Sequence, residues 1–330
     1  MHQPQHYGDY LKLDAILDAQ HPVSFQKGNT PAHDEMLFVV IHQAYELWFK
    51  QVLFEVDSVA SILQKPKLED NSADLQTIVH RLQRCVTIMR ILVQQVDIME
   101  TMTPLDFLDF RDLLRPASGF QSWQFKVLEA RLGLKYDDRH GQAYYLSQLR
   151  ENEIVIIKEA ESKRSVLSLI NDWLERMPFV SSSSFWSDYE NVYAQNLDTS
   201  EKQNLEFFQK IFSETEMSNR SLSPTACRSA LFIMLYRGYP LLELPFKLMD
   251  TLIELDHQLG NWRYRHMNMV RKMIGTRIGT GGSTGAGYLE GAMQKHYIFR
   301  ELSQLNSFLV DRKKIPALSP DITSQLGYHF

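Results

Sequence analysis

Two histidines, one arginine and a glycine-rich run are the residues of this chain whose types and surroundings could do chemistry. His42 stands in HDEMLFVVIHQAYELWFKQ, residues 33–51, with Phe38 one helical turn before it and Tyr45 and Glu46 one turn after. A titratable ring on so apolar a stretch is most often a core histidine with a satisfied hydrogen bond. Its other use is an imidazole turned into a pocket. His266 lies in NWRYRHMNMVRKMIG, between Arg265 and Met267, on a stretch whose apolar side carries Trp262, Met269, Val270 and Met273. Taken alone, a surface histidine on a helix is the commoner meaning; a neutral imidazole on a rigid helix also suits a metal or a haem iron.

Arg111 is set among Phe107, Leu108 and Phe110 in DFLDFRDLLRPASGFQS. A guanidinium on an apolar turn needs a partner, and its planar fork matches a carboxylate at two points. An ion pair to Asp109 or to a neighbouring helix would meet the same need. The run GTGGSTGAG, residues 279–287, lacks the Gly-Lys-Ser/Thr of a phosphate loop, and no strand precedes it as a dinucleotide fold requires. What remains is backbone that can approach a small ligand closely, with hydroxyls from Thr280 and Ser283. A ferritin-like di-iron site needs two Glu-x-x-His motifs, and the chain has one, Glu254 to His257. Zinc and serine hydrolase motifs are missing as well.

The elements that must hold these residues are helices. Apolar positions recur at helical spacing over residues 34–64, where Leu37, Phe38, Ile41, Tyr45, Trp48, Val52, Val56 and Val59 share a side and Asp34 reads as the cap. A second helix spans about 72–102, and Thr103 caps a short third one with Pro104 at its first position. Another begins in GFQSWQFKVLEARLGL. Residues 141–176 read as helix up to Met177-Pro178, SSSS at 181–184 as a loop, and about 180–226 as a small helical excursion. The stretch 226–239 is helical up to RGYP, a long helix covers about 243–274, and a helix restarts after the glycine-rich run. No alternating strand pattern stands out. The expectation is an all-α fold, a bundle of long helices with a small helical insertion, in a single domain over 1–330.

The 330 residues carry a net charge of −5, with 44% hydrophobic and 23% charged residues, as in an ordinary globular protein. With no basic block or stripe, nucleic acid is a poor partner, and so is an acidic membrane. Cys85 and Cys227 offer neither metal-ligand spacing nor a disulfide framework, which fits a reducing cytosol and a cytoplasmic protein. MHQPQHYGDYLKLD lacks a signal-peptide pattern. The apolar stretch SALFIMLYRGYPLLELPF is interrupted by Arg237, Gly238 and Pro240, so it does not read as a membrane span.

Together, YGDYLKLDAILDAQ, HDEMLFVVIHQAYELWFKQ, FRDLLRPASGFQS, WRYRHMNMVRKMIG and GTGGSTG resemble, in that order, stretches of the tryptophan 2,3-dioxygenase family. The resemblance covers about 1–135 and 228–310 and is loose between. It implies haem b in the core, Fe2+ in the active form, with His266 as its axial ligand. It implies that His42 lies on the opposite side as the catalytic imidazole, within reach of the indole N–H of L-tryptophan, with Phe38 and Phe107 as pocket wall. Arg111 would clamp the substrate carboxylate. Thr280 would contact ammonium and carboxylate, and Ser118 would sit at the haem edge. Tyr7, Tyr10 and Leu11 would enter a neighbouring subunit's site in a homotetramer. The implied reaction cleaves the indole C2–C3 bond with O2 to N-formylkynurenine, in tryptophan catabolism. A monooxygenase acting on tryptophan or a modified tryptophan, a non-catalytic haem sensor, and a helical interaction module without cofactor are the alternatives.

Overall fold

Why each helix starts where it does is visible in its first turn. The computed structural model describes residues 5–66, 68, 72–178, 183–212, 220–279 and 285–327. Two short helices, α1 (Tyr7–Leu11) and α2 (Leu13–Leu17), precede the long α3 (Glu35–Leu63) and α4 (Ala73–Met99). Then come α5 (Pro104–Arg111), α6 (Trp123–Leu132), α7 (Gln142–Tyr145), α8 (Glu151–Ser162), α9 (Val166–Glu175), α10 (Ser183–Asn196) and α11 (Lys202–Phe212). The chain ends with α12 (Pro224–Tyr236), α13 (Pro240–Ile274), α14 (Gly285–Lys295), α15 (Arg300–Gln304) and α16 (Pro320–Leu326). Among the described residues there is no strand, so the all-α expectation holds.

Ser72 caps α4 by accepting the Leu75 N–H at 3.2 Å. Thr103 and Asp106 form a reciprocal capping box at α5, with Pro104 in the first helical position. Asp34 does not cap α3: its backbone is already helical and its side chain makes no capping bond. The entry to α3 is fixed instead by Glu35, whose buried carboxylate accepts the N–H groups of Val23 and Ser24 at 2.7 and 2.8 Å. Asp256 and Glu301 do the same elsewhere. Asp256 takes the amides of Ile298 and Phe299, and Glu301 those of Ser221 and Leu222. Each buried carboxylate satisfies loop amides that would otherwise be costly to enclose.

The single helix expected over 141–176 is three, α7, α8 and α9. Ser165 begins α9 by accepting the Ser168 N–H, and the Glu153 carboxylate takes the Arg150 N–H at the start of α8. A polar start inside a periodic pattern breaks the helix without disturbing the pattern. Helix α4 stops at Met99 rather than Met102, α13 begins at Pro240, and Ser183 and Ser184 already belong to α10. Residues 181 and 182 of the expected loop lie outside the described residues.

Helices α3, α4, α9, α12 and α13 enclose the main core. The segment of α10 and α11 packs into it through Tyr189, Tyr193, Phe208 and Phe212, which gather around Phe308 of the C-terminal part. Helix α13 lies along α4, and α3 lies beside α4 as well. At one end these helices meet α5 in a smaller cluster of Ile41, Met99, Met102, Phe110 and Met273. Phe38, Phe107 and Met269 are only partly buried against it, because they face a hollow. Among the described residues no helix is long and apolar enough to cross a membrane.

Candidate active site

The hollow lies between α3 and α13, with α5 and α6 at its sides and α14 beyond the end of α13. It encloses about 1370 Å³ counted out to its open mouth, and both His42 and His266 line it. His42 is fastened to its own helix: Nδ1 lies 2.8 Å from the Phe38 carbonyl oxygen. A carbonyl can only accept, so Nδ1 carries the hydrogen. Burial lowers the pKa of the ring, against the opposing pull of that bond and of Glu46. His42 is therefore neutral, and its Nε2 is an unprotonated acceptor. The Phe38 ring lies 4.1 Å from it.

His266 is pushed down to about 4, first by burial and then by the charge His42 would carry. It too is a neutral imidazole near neutral pH. Its Nδ1 is enclosed and has no hydrogen-bond partner among the described residues. Trp262, one turn earlier, stacks on it with centroids 5.2 Å apart and planes 19° apart.

Arg111 is buried at 6% exposure. One N–H donates to the Ile278 carbonyl. The nearest carboxylate is that of the exposed Asp112 at 4.0 Å, not Asp109, so the guanidinium is poorly neutralised. It lines the hollow together with His42, Phe38 and Phe107. Phe107 lies 5.8 Å from Phe38, stacked, and meets Phe110 edge-on. Ser118 also lines the hollow, with its hydroxyl accepting the Phe120 N–H and its own N–H donating to Gln121. Gly279 borders the hollow. Thr280 and Ser283 lie outside the described residues. Tyr7 and Tyr10 on α1 are 70% and 69% exposed and, like Leu11, do not line the hollow of their own chain.

A second polar group closes the opposite end. Glu129 on α6 accepts from Arg139 at 2.7 Å and from Arg263 at 2.8 Å, and His296 Nδ1 is 3.3 Å away. Burial alone would raise its pKa, but His296, Arg263 and Arg139 together hold it well below the usual carboxylate range. The His296 carbonyl accepts from Arg263, and its Nε2 accepts the His140 N–H. Gly291 of α14 approaches so closely that a Cβ there would be 2.4 Å from the His140 ring. Lys126, one turn before Glu129, faces the same space, and burial pushes its ammonium down to about 8.

Residues 1–217 and 202–309 match the family model described as Tryptophan 2,3-dioxygenase. The tryptophan 2,3-dioxygenase of Bdellovibrio bacteriovorus is 39% identical over 358 residues, covering 99% of each chain. The chain belongs to the tryptophan 2,3-dioxygenase family. The protein of that name from Dictyostelium discoideum is 39% identical over 98% of this chain and 88% of its own, and the one from Rattus norvegicus 38% over 96% and 85%.

The tryptophan 2,3-dioxygenase family is haem-dependent, and the residues of this hollow fit an iron porphyrin. A neutral histidine faces it with one nitrogen enclosed and unpartnered. Its walls are aromatic and thioether side chains: Phe38, Phe125, Met269 and Met273. A buried cation, Lys126, also lines it.

The sequence reading brought His42, His266, Phe38, Phe107, Arg111 and Ser118 together, and the structure places all six on one hollow. It missed Lys126, Glu129, Arg139, Arg263 and His296. The signal available was charge on apolar helix faces: Lys126 and Glu129 in FKVLEARL, and Arg263 one turn before His266.

Proposed function

We propose that this chain binds haem b through His266 and uses O2 to open the indole C2–C3 bond of L-tryptophan, giving N-formylkynurenine. The observation that carries the reading is that two neutral histidines on facing helices share one hollow with an under-neutralised arginine. Bound haem supplies the redox chemistry with O2. The rest is done by the side chains.

Arg111 receives the substrate carboxylate, an anion that makes up for the distant Asp112 and lowers the cost of holding a guanidinium inside. His42 Nε2, fixed as acceptor by the Phe38 carbonyl, takes the indole N–H. That bond is worth roughly 1–3 kcal/mol, since its loss would leave a buried donor unpaired. Phe38 and Phe107 flank the ring and keep water from it. Ser118 borders the cofactor edge, and Thr280 meets the ammonium and carboxylate. Both oxygen atoms of O2 enter the product, one in a formyl group on the former indole nitrogen and one in the ketone on the benzene ring.

The exposed Tyr7, Tyr10 and Leu11 complete a neighbouring subunit's site in a homotetramer. The exposure of Tyr7 and Tyr10 leaves both side chains accessible to a neighbouring subunit. The chain works in the cytoplasm, with Fe2+ as the active iron state.

The test is the purified protein under reducing, aerobic conditions with L-tryptophan. A Soret band and a product heavier by two oxygen atoms support the reading. A product heavier by one oxygen moves the chain to a monooxygenase, and tight tryptophan binding without turnover moves it to a sensor.

A further inference from the structure

Lys126 has a buried ammonium that forms no ion pair among the described residues, with Glu129 acting on it only from a distance. The residue is 7% exposed, and among the described residues its Nζ makes no hydrogen bond and no salt bridge. Its Nζ lies 5.1 Å from the centroid of the Tyr145 ring, on which Arg139 is also placed. The nearest carboxylate is engaged: the Glu129 oxygens go to Arg139 on one side and to Arg263 and His296 on the other. Glu161, the next acid, pairs with Arg139 at 3.7 Å. A desolvated cation in this state costs several kcal/mol unless an anion arrives.

The anion has to come from within the hollow that Lys126 lines. Lys126 and His266 line the same hollow, as do Phe125 and Trp262, whose rings lie 4.7 Å apart. The substrate carboxylate has its own cation, since Arg111 is on α5 and bonded to Ile278. A porphyrin brings further carboxylates.

We propose that Lys126 is the positioning residue that anchors a carboxylate of the porphyrin, while Arg139 and Arg263 are each ion-paired with Glu129. The inference rests on the haem reading above and concerns which residue holds the ring's charged edge. It separates two cations by role: Arg111 reads the substrate, Lys126 the cofactor.

The experiment follows haem transfer from the holoprotein to excess apomyoglobin at the Soret band, for wild type, K126M and K126R. A charge-assisted hydrogen bond predicts that K126M loses haem about tenfold to a hundredfold faster. K126R should stay within a fewfold of wild type. A merely structural lysine would give the opposite stability result. Here K126M, freed of an unpaired buried charge, should melt no lower than wild type once haem is removed.

If K126M does not fold, wild type and K126R still decide the matter through haem whose carboxylates are methyl-esterified. Both should retain the diester far more weakly than haem. Equal haem loss from K126M and wild type overturns the proposal, as does equal retention of haem and its diester. A colourless wild type sinks the haem reading itself and is told apart from either result.

Discussion

The two ends of the hollow are built on opposite plans. At the proposed substrate end, His42 is bonded to Phe38 of its own helix, and Arg111 donates to the Ile278 carbonyl and is left short of an anion. At the far end, Glu129, Arg139, Arg263 and His296 bond to one another across four segments, although the Nε of each arginine stays without a hydrogen bond, and the Lys126 ammonium has neither a hydrogen bond nor an ion pair among the described residues. Groups left unsatisfied are free to bind; groups already satisfied hold the fold. Variants at the first end should therefore change binding with little effect on stability, and variants in the Glu129 cluster the reverse.

His266→Ala gives the largest effect and tests whether the two ends share one cofactor. The Soret band of the purified protein should vanish and turnover with it. A variant that kept a normal spectrum would mean that the histidines serve separate purposes.

Glu129→Gln comes next. It leaves two buried guanidiniums facing a neutral amide, which costs roughly 3–5 kcal/mol of unfolding free energy in a denaturant titration. The pH dependence has a definite sign. The folded pKa of Glu129 lies below its unfolded value, so its contribution is fully present above the unfolded value near 4.5 and is lost as pH falls through the folded one. Wild type should lose stability over that acid range more steeply than Glu129→Gln, while the variant's tryptophan KM changes little. A large KM change with intact stability would erase the distinction between the ends.

Arg111→Ala should weaken tryptophan binding by about 2–5 kcal/mol, read as a rise in KM with the melting temperature nearly unchanged. An unchanged KM removes Arg111 from the substrate site. His42→Phe is smaller, about 1–3 kcal/mol in kcat/KM for tryptophan. It sharpens the comparison further with 1-methyltryptophan, which has no indole N–H: wild type and variant should then differ far less.

The substrate end was legible because its signals are local. Phe38 and His42 are one turn apart, as are Phe107 and Arg111, and a turn of helix can be read from spacing. The long helices α3, α4 and α13 showed for the same reason. The Glu129 cluster could not be read this way. Its partners lie 10, 134 and 167 positions from Glu129, and no periodicity connects residues that only folding brings together. The entry to α3 was misjudged for a related cause. Asp34 has the type and place of a cap, yet the work is done by Glu35 through Val23 and Ser24, a bond between segments. The breaks around α8 depend on Ser165 and Glu153, whose polarity does not interrupt the apolar rhythm on the other face.

Gly291 sets a rule of length on one short piece of the chain. Its α-hydrogen is all that fits beside the His140 ring, while His296, five residues later, is bonded on both sides of its own ring. One residue inserted between them would turn the two attachment points about 100° out of register. That interval thus admits neither growth nor shrinkage, whatever sequence comes before it.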